Sequence, residues 1–275
     1  MKSISFSNFL RRFGIDLRKL IFRDIMKSFG YRFPMMAVGG APVNAQRMSF
    51  LSSVGFNIYV GYGLTEASPI VAINSDIFHF PDSVGSCVGD TECKIVEPDG
   101  SGVGEIAIRG SNITKGYYKD EKATAASFKD GWFLTGDYGR LDQNGRLYIS
   151  GRKKNLIILD NGKNICPEVL EDFFRENSPL FSEAVVFERT KTRGKESTKL
   201  LVLAVSIDRE YSRGKSEEQL REEAFTEVYR LNRLLPSYER IADVMAVAHE
   251  FEKTSTLKII RRSVEAEYEK YEKHK

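Results

Sequence analysis

The order of apolar and polar stretches predicts an α/β arrangement near the start of the chain. The apolar run 33–40 ends in two glycines, as a buried strand often does. A helix is expected over 42–55, with Asn44 as its N-cap and Gly55 as its stop, before a second apolar strand at 56–63. A strand, a helix and a strand within so few residues form a βαβ unit, so we expect the two strands to be parallel.

Beyond residue 84 the pattern changes to short strands with alternating polarity. Residues 91–110 predict two strands around a Pro-Asp-Gly turn. Residues 139–152 predict a hairpin, and the pair Asn144-Gly145 within it is typical of a type I′ turn. This middle part is therefore expected to be a small antiparallel β unit.

From about residue 153 the pattern predicts an α+β domain. A second hairpin is expected at Asn161-Gly162, ahead of a helix that opens with Pro167. Two strands around a charged loop follow. Ser216 and Gln219 then have the spacing of a capping box at the start of a long helix.

Composition indicates a soluble globular protein. Of the 275 residues, 41% are hydrophobic and 29% are charged, which is enough apolar side chain for a core. The net charge of +3 is nearly balanced and argues against a dedicated nucleic-acid binder. No apolar run reaches the roughly 18 residues of a membrane span. We expect a cytoplasmic protein.

The cysteines do not form a recognisable motif. Cys87, Cys93 and Cys166 are too few and too irregularly spaced for a disulfide framework or a zinc site, which suits a reducing compartment. Cys166 has no histidine near it in sequence, so we expect it to pack rather than to act as a nucleophile.

The N-terminal stretch 7–30 is basic and amphipathic but lacks the apolar core of a signal peptide. Its Phe and Leu spacing would suit a membrane surface. The same pattern more often belongs to a helix that packs against a core, and Asp16 and Asp24 weaken a targeting role. We favour core packing and keep peripheral membrane contact as the alternative.

Three short motifs combine residue types that suit a nucleotide site. "GYGLTEASP" (61–69) follows the second strand, "GWFLTGDYG" (131–139) contains Asp137, and "GRKKNLI" (151–157) is densely basic. Each has an ordinary interpretation when taken alone: a glycine-rich turn, a solvated turn aspartate and a solvated charge run.

Their order resembles that of the AMP-forming acyl-CoA synthetases, in the adenylate-forming superfamily that also holds luciferases and peptide-synthetase adenylation domains. The form of the first blocks is most similar to the long-chain fatty-acid branch. The matching blocks are "AVGGAPV" (37–43), "GYGLTEASP", the segment 104–158, "NGKNICPEVLED" (161–172) and "KTSTLKIIRR" (253–262).

The resemblance implies a fold of the α/β plus α+β class in three parts. Residues 1–80 would be a partial parallel α/β unit of a large adenylation domain, and 81–152 its antiparallel, β-barrel-like subdomain. Residues 153–275 would form a small, mobile C-terminal α+β domain.

The resemblance also implies a nucleotide site. Tyr62 would stack near the adenine, Thr65 would touch the phosphate, and Glu66 would bind Mg²⁺, which prefers carboxylate and phosphate oxygens. Asp137 would accept hydrogen bonds from the ribose hydroxyls, with Arg152 supporting the same ribose. Further nucleotide contacts would come from Gly40, Ala41 and Gly63.

Two more roles follow from the resemblance. Lys258 would be the lysine that bridges the substrate carboxylate and the α-phosphate of ATP, acting with Thr65 and Glu66 in catalysis. Lys154 would be the hinge about which the C-terminal domain turns before coenzyme A attacks. The tunnel for coenzyme A would be lined by Gly162, Lys163 and Asn164.

The chain departs from the family pattern at two places. The Ser/Thr/Gly-rich phosphate loop that the family carries upstream of "GGAP" is not in these 275 residues, so we expect a fragment or a truncated relative. Self-association through the truncated face of residues 1–80 is then expected. In the last motif, Leu257 stands where the family usually has glycine, and leucine adopts glycine's backbone angles only with strain.

Three functions therefore stay open. The first is ATP-dependent activation of a long-chain fatty acid and its transfer to coenzyme A, as part of a longer ligase that this chain alone does not complete. The second is a non-catalytic, nucleotide- or CoA-binding relative. The third is a membrane-surface module that uses the basic N-terminal stretch.

Overall fold

The computed structural model describes residues 2–30, 35–41, 43–160, 163–193, 196–255 and 257–273. Contacts divide the chain into two compact units, Met1–Lys153 (unit 1) and Lys154–Lys275 (unit 2). The helices of unit 1 are α1 (Lys2–Arg11), α2 (Arg18–Ile21), α3 (Arg23–Ser28), α4 (Ala45–Val54) and α5 (Glu121–Ser127). Its strands are β1 (Met36–Gly39), β2 (Ile58–Gly63), β3 (Ile70–Asn74), β4 (Ser86–Cys87), β5 (Glu92–Val96), β6 (Gly104–Arg109), β7 (Phe128–Lys129), β8 (Trp132–Leu141) and β9 (Leu147–Arg152).

The predicted βαβ unit is confirmed in unit 1. Strands β1 and β2 pair in parallel, and α4 connects them. The Asn44 side chain caps α4 by accepting the backbone N–H of Arg47. The helix ends at Gly55, whose φ of 119° is the left-handed conformation that glycine adopts without a side-chain clash.

Two sheets carry the rest of unit 1. One has the strand order β1-β2-β3-β4, and the other has the order β5-β6-β8-β7 with β9 paired to β8. The second sheet is antiparallel throughout its described pairs, as the alternating pattern predicts. A shared core packs between the sheets and contains Ala67, Val71, Ala72, Ile106, Ile108, Phe133 and Leu147.

The type I′ turn predicted at Asn144-Gly145 is wrong. A type I′ turn needs positive φ at both central residues, but only Gly145 has it, at 74°. The Asp142 carboxylate instead accepts the backbone N–H groups of Asn144 and Arg146, which holds a five-residue turn with glycine at its fourth position. The hairpin of β8 and β9 is confirmed, and its turn is of a different type because of Asp142.

The N-terminal stretch packs against the core on one side only. It divides into α1, α2 and α3, and the side chains of Phe22 and Met26 are buried in a cluster with α4, β1 and β2. Other large apolar side chains of the stretch are exposed, so the prediction of a single core-packing helix is only partly right. These exposed residues are Phe9, Phe13, Ile15, Leu20, Ile25 and Phe29.

Unit 2 confirms the predicted α+β pattern. Its helices are α6 (Pro167–Asn177), α7 (Arg209–Ser212), α8 (Glu217–Asn232) and α9 (Arg261–Lys273). Its strands are β10 (Ile157–Ile158), β11 (Asn164–Ile165), β12 (Phe181–Arg193), β13 (Glu196–Ile207) and β14 (Asp243–Val247). Strands β10 and β11 pair around the predicted Asn161-Gly162 hairpin, whose turn residues lie outside the described residues.

The sheet β12-β13-β14 of unit 2 has apolar side chains on both faces because neighbouring residues alternate across a strand. Val186 on β12 packs with α6 and α8, while Val185 and Phe187 pack with Val264 and Tyr268 of α9. Pro167 opens α6, and the capping box at the start of α8 has both of its hydrogen bonds. The three-part domain division at residues 80 and 152 stays a prediction.

No helix within the described residues is both long enough and apolar enough to cross a lipid bilayer.

Candidate functional site

The loop after β2 is shaped by close backbone contacts. At Gly63, a Cβ atom would lie 2.0 Å from the carbonyl oxygen of Pro69, so only glycine fits there. The same Pro69 carbonyl accepts the N–H of Leu64 at 2.8 Å, and a 3₁₀ turn covers Thr65–Ala67. This geometry places Thr65 on the exposed surface and Glu66 beside it, half-buried.

Three predicted site residues from different motifs meet in unit 1. The Tyr62 hydroxyl donates to Oδ2 of Asp137 at 2.6 Å, although the two residues are 75 positions apart in the sequence. Arg152 Nε lies 2.9 Å from the other carboxylate oxygen, Oδ1. The Asp137 side chain is only 5% exposed, so these partners stabilise a carboxylate that has lost most of its water.

The register of one hairpin brings Asp137 to Arg152. The two residues stand directly opposite each other on β8 and β9, beyond an irregularity at Tyr138 and Gly139. The hydroxyl of Thr135 accepts the backbone N–H of Asp137 at 3.1 Å and donates to the Ile106 carbonyl at 2.8 Å. The carboxylate is therefore oriented before any ligand arrives.

Tyr62 is a fixed donor in this cluster. Burial, and then the negative charge of Asp137, raise the pKa of the Tyr62 phenol above its ordinary value. The phenol therefore keeps its proton at neutral pH and donates a hydrogen bond to the carboxylate. A Tyr–Asp–Arg group of this kind, with its carboxylate buried, is rigid and polar, which suits a site that recognises hydroxyl groups.

Glu66 has a partner that the sequence did not indicate. The hydroxyl of Tyr117 donates to Oε1 of Glu66 at 2.9 Å, and the N–H of Thr114 donates to the Glu66 carbonyl at 2.7 Å. No group of three or more potential metal ligands occurs within the described residues. A single oriented carboxylate fits Mg²⁺, which is commonly held by one or two carboxylates together with substrate phosphates and water.

The remaining predicted contacts of the nucleotide and of coenzyme A lie on the surface. Gly40 has a φ of 80° and Ala41 is exposed next to it. Lys163 lies over the ring of Tyr238 at 3.5 Å, and Asn164 is exposed on β11. Gly162 lies outside the described residues.

The predicted hinge residue and its neighbour lie where the two units join along the chain. Lys154 is exposed and is the first residue of unit 2. Lys153, the last residue of unit 1, has its Nζ 2.5 Å from Oε2 of the buried Glu105. This contact raises the pKa of Lys153. Lys153 is thus paired with a buried carboxylate of unit 1, and both lysines are exposed.

Lys258 lies at the end of a tight turn in unit 2. The N–H of Thr254 donates to the Lys258 carbonyl at 2.8 Å, and the Lys258 N–H donates to Oγ1 of Thr254 at 3.2 Å. Leu257 has a φ of 61°, so the strain expected where leucine replaces glycine is present. Leu257 is also 81% exposed. Within the described part of the chain, no ion pair includes the exposed Lys258.

The helix after Lys258 is tied to the core of unit 2. Arg261, the first residue of α9, donates to the Val186 carbonyl at 3.1 Å and to the buried Glu171 at 2.7 Å. Burial raises the pKa of Glu171 to about 7, although the Arg261 charge acts against this rise. The segment that carries Lys258 is therefore anchored three residues further on.

The structure adds residues to the site that the sequence did not single out. Tyr117 orients Glu66, Thr135 orients Asp137, and Arg261 anchors the segment of Lys258. Each contact joins positions far apart in the chain, or uses a hydroxyl that has no distinctive spacing. Only the resemblance over 104–158 could have directed attention to Tyr117 and Thr135.

Comparison with known families gives two matches. Residues 10–118 match the profile described as AMP-binding enzyme, and residues 154–272 match the AMP-binding enzyme C-terminal domain. Together the two matches cover most of the chain.

The matches to curated relatives cover a large part of this chain but only a small part of each relative's own length. Long-chain-fatty-acid–CoA ligase FadD15 of Mycobacterium bovis is 40% identical over 61% of this chain, which is 27% of the relative. Long-chain-fatty-acid–CoA ligase ACSBG2 of Xenopus laevis is 34% identical over 75% of this chain and 28% of the relative. The chain thus spans about a quarter of the length of these relatives.

Solved structures share the fold. The o-succinylbenzoate CoA synthetase of Bacillus subtilis, in complex with ATP and magnesium ion, has a TM-score of 0.69 and 25% identity. The match covers 89% of this chain and 50% of the synthetase. The same enzyme with its acyl-adenylate intermediate has a TM-score of 0.68 over 90% of this chain and 49% of that one.

Proposed function

Because this chain belongs to the family of AMP-binding enzymes, we propose that it is part of a longer AMP-forming acyl-CoA ligase. The reaction would activate a fatty acid with ATP and transfer the acyl group to coenzyme A. A long-chain fatty acid is the proposed substrate class, because the curated relatives carry that name. Residues 1–80 and 81–152 would belong to the large adenylation domain, and residues 153–275 would form the small C-terminal domain.

The observation that carries the proposal is the cluster of Tyr62, Arg152 and the buried Asp137. A carboxylate can accept several hydrogen bonds, and two cis hydroxyls of a ribose are suitable donors. Tyr62 and Arg152 hold the Asp137 carboxylate in one orientation, so little conformational entropy is lost when the ribose binds. Gly40, Ala41 and Gly63 would line the rest of the nucleotide-binding site.

The catalytic roles are assigned to three polar side chains. Glu66, oriented by Tyr117, would hold Mg²⁺, which supplies positive charge for the phosphate oxygens. Thr65 would donate its hydroxyl to the phosphate. Lys258 would donate to the carboxylate and α-phosphate oxygens, where two anions must approach each other.

The proposal assigns the second half-reaction to unit 2. Lys154 would act as the hinge, and Gly162, Lys163 and Asn164 would line the path of coenzyme A. A conformational change between the two steps would allow one chain to serve both half-reactions.

The first test measures nucleotide binding by titration calorimetry on the 275-residue chain. We expect AMP to bind, and Asp137→Asn to weaken binding at least tenfold, because a charge-assisted hydrogen bond contributes about 1.5–3 kcal/mol. Asp82→Asn is the matched control, since Asp82 is an exposed aspartate of the same unit. Intact Trp132 fluorescence would show that each variant is folded. Equal AMP affinity in all three proteins would contradict the assignment of Asp137.

The second test measures pyrophosphate release with ATP, Mg²⁺, coenzyme A and a panel of fatty acids. It uses this chain and the longer protein, if the coding sequence extends upstream. We expect release in the longer protein and its loss in Lys258→Ala, whereas Arg262→Ala, which removes an exposed cation four residues away, retains it. AMP binding without release in either protein would favour the alternative, a non-catalytic nucleotide-binding relative.

We also propose self-association through residues 1–80. The exposed aromatic side chains of residues 6–29 lie in the same unit as β1, which pairs only with β2 among the described strands. Two basic residues of this stretch are engaged within the chain: Arg11 with Ser52 and the Phe78 ring, and Arg18 with Asp16. The Asp16 carboxylate offsets the charge of Arg18, which leaves less net positive charge for a membrane surface.

Sedimentation velocity over a range of concentrations tests the self-association. We expect a concentration-dependent dimer that is weakened by Phe9→Ser and Phe13→Ser. A monomer at every concentration would contradict it. Flotation with anionic vesicles, lost in the same variants, would indicate membrane contact instead.

A further inference from the structure

The chain just before Lys154 is held within unit 1 by two ion pairs. Lys153 Nζ lies 2.5 Å from Oε2 of Glu105, a residue of β6 whose side chain is 9% exposed. The preceding residue, Arg152, pairs with the buried Asp137 of β8 at 2.9 Å. Removing either cation would leave a buried carboxylate unpaired, which is costly. Unit 1 is therefore fixed up to its last residue.

The chain just after Lys154 is held within unit 2. The Asn155 side chain donates from Nδ2 to Oε1 of Glu168 at 2.5 Å, and Glu168 is the second residue of α6. A hydrogen bond to a carboxylate is roughly twice as strong as a neutral one. Within the described residues, Oε2 of Glu168 is buried without a hydrogen-bond partner, so the carboxylate is held through Oε1.

The same oxygen connects this contact to the segment of Lys258. Oε1 of Glu168 lies 3.6 Å from Nη2 of Arg261, and that nitrogen also lies 2.7 Å from Glu171. Arg261 is the first residue of α9 and follows Lys258 by three positions. One carboxylate of α6 therefore contacts both Asn155 and the start of α9.

Lys154 differs from the residues on either side of it. Among the residues that the structure describes, its exposed side chain takes part in no hydrogen bond or ion pair. Hinges are short segments at the ends of elements that absorb changes in φ and ψ. Here such a segment is limited on both sides by residues that are fixed to their own unit.

We propose that Lys153 and Asn155 are positioning residues that confine the turn of the hinge to Lys154, an assignment that rests on the proposed function of Lys154. The ion pair with Glu105 fixes the chain before the hinge, and the hydrogen bond with Glu168 fixes it afterwards. Changes in φ and ψ are then absorbed at one residue and not over a flexible linker.

A hinge of one residue would give Lys258 a reproducible position. Because Glu168 and Arg261 join α9 to α6, a change at Lys154 moves the Lys258 segment together with α6. Catalytic groups act efficiently only when they are placed accurately, so a loose connection at this point would lower the rate of reaction.

The test measures how fast a lysine-specific protease cleaves the bond between residues 154 and 155 in the folded 275-residue chain. Cleavage requires local opening of the chain, so its rate reports the population of the open form. Each rate is divided by that of the same bond in urea, which removes any effect of a substitution on the protease itself. The mass of fragment 155–275 distinguishes this cleavage from cleavage after Lys153.

Lys153→Met should accelerate the cleavage about tenfold, because a hydrogen bond between charged groups is lost. Lys153→Arg should keep the original rate, since a guanidinium can still pair with Glu105. Lys129→Met, which breaks an exposed ion pair with Glu97 in the same unit, is the matched control and should have no effect. Equal acceleration after Lys122, which would indicate general loosening of unit 1, or no rescue by Lys153→Arg, would overturn the role of Lys153.

A reciprocal exchange tests the other side of the hinge. Asn155→Asp places two carboxylates together and should accelerate the cleavage about tenfold. Adding Glu168→Gln should restore the original rate, because an amide at 168 can donate to a carboxylate at 155. Asn177→Asp makes the same chemical change at an exposed position of α6 and should have no effect. An acceleration that Glu168→Gln does not reverse would overturn the role of Asn155.

These measurements are independent of the ligase reaction because they need no nucleotide. Failure of either positioning role would leave the proposed ligase function standing. Failure of AMP binding or of pyrophosphate release would contradict the ligase function without altering the cleavage rates.

Discussion

Two five-residue turns, 142–146 and 254–258, share one pattern of hydrogen bonds. In the first, the Asp142 N–H donates to the Arg146 carbonyl at 3.0 Å, and the Gly145 N–H donates to the Asp142 carbonyl at 3.0 Å. The Arg146 N–H donates to the Asp142 side chain at 2.9 Å. The fourth residue, glycine, has a φ of 74°, which it adopts without strain.

The second turn repeats this pattern with a different residue at the fourth position. Thr254 takes the place of the aspartate, with corresponding distances of 2.8, 2.9 and 3.2 Å. Leu257 has nearly the same backbone angle as the glycine, at 61°, and its side chain is 81% exposed. The turn that carries Lys258 is thus strained, whereas the turn that closes the β8–β9 hairpin is relaxed.

The residue at the fourth position, Gly145 in one turn and Leu257 in the other, distinguishes a relaxed turn from a strained one. The glycine turn closes the β8–β9 hairpin, which needs only a stable register. In the second turn the leucine is 81% exposed and so contributes little burial to offset its strain, and strain of this kind is concentrated at functional segments. The four predictions below test how the residues at the first and fourth positions distinguish the two turns.

The largest loss in the free energy of unfolding is expected from Gly145→Leu. Leucine would be forced into the left-handed region at a cost of about 1–2 kcal/mol. A Cβ there would meet no atom within 4 Å, so the cost would come from the backbone alone. Urea unfolding followed by Trp132 fluorescence would measure it. Asn144→Leu is the control, because Asn144 is exposed and is not among the residues with positive φ. Equal losses in both variants would show that the turn does not require glycine.

The reverse substitution, Leu257→Gly, should stabilise unit 2. Relief of strain is partly offset by the greater freedom of glycine in the unfolded chain, which leaves a gain of about 0.5–1 kcal/mol. Slower hydrogen exchange of β13 amides, resolved by peptide mass spectrometry, would measure this gain. Leu257→Ala keeps the strain and removes most of the apolar surface, so it should give no gain. A gain in the alanine variant would indicate that exposure, and not strain, is the cost.

How far the sequence predicts these features depends on how local their causes are. Asn44 and the Ser216–Gln219 capping box were predictable because a cap bonds within one helical turn. The strain at Leu257 was predictable from the residue that replaces glycine. The turn at Asn144 was not, because the Asp142 side chain two positions away selects a different conformation.

Contacts between residues that are far apart in the sequence are harder to predict than local turns and caps. The Tyr62–Asp137 bond joins two sheets, and the Tyr117–Glu66 bond spans 51 positions. A resemblance can name Asp137 as a site residue, but it does not say which side chain holds the carboxylate. The exposed aromatic face of the N-terminal stretch was missed for a related reason, since amphipathic spacing does not reveal what covers the apolar side.

A smaller loss of stability is expected from Thr254→Val, which removes the hydroxyl that accepts the Lys258 N–H. An exposed, neutral hydrogen bond lies at the lower end of the usual range, so the loss should be about 0.5 kcal/mol. Faster hydrogen exchange of a peptide containing 254–258 would report it. Ser255→Ala is the control, because it removes a hydroxyl one position away in the same turn. Equal acceleration in both variants would show that the Thr254 hydroxyl has no special role.

The smallest effect is a difference in pH dependence, since only the first turn is held by a carboxylate. Backbone N–H donation, first from Arg146, lowers the pKa of Asp142 below its ordinary value of about 3.9. A lowered folded-state pKa contributes stability above the unfolded value, and this stability is lost as pH falls through the folded value. The urea midpoint of the chain minus that of Asp142→Asn should therefore shrink between neutral pH and about pH 3. The corresponding difference for Thr254→Val should not change with pH, because a hydroxyl does not titrate there. Parallel behaviour of the two variants would show that the Asp142 charge does not distinguish the turns.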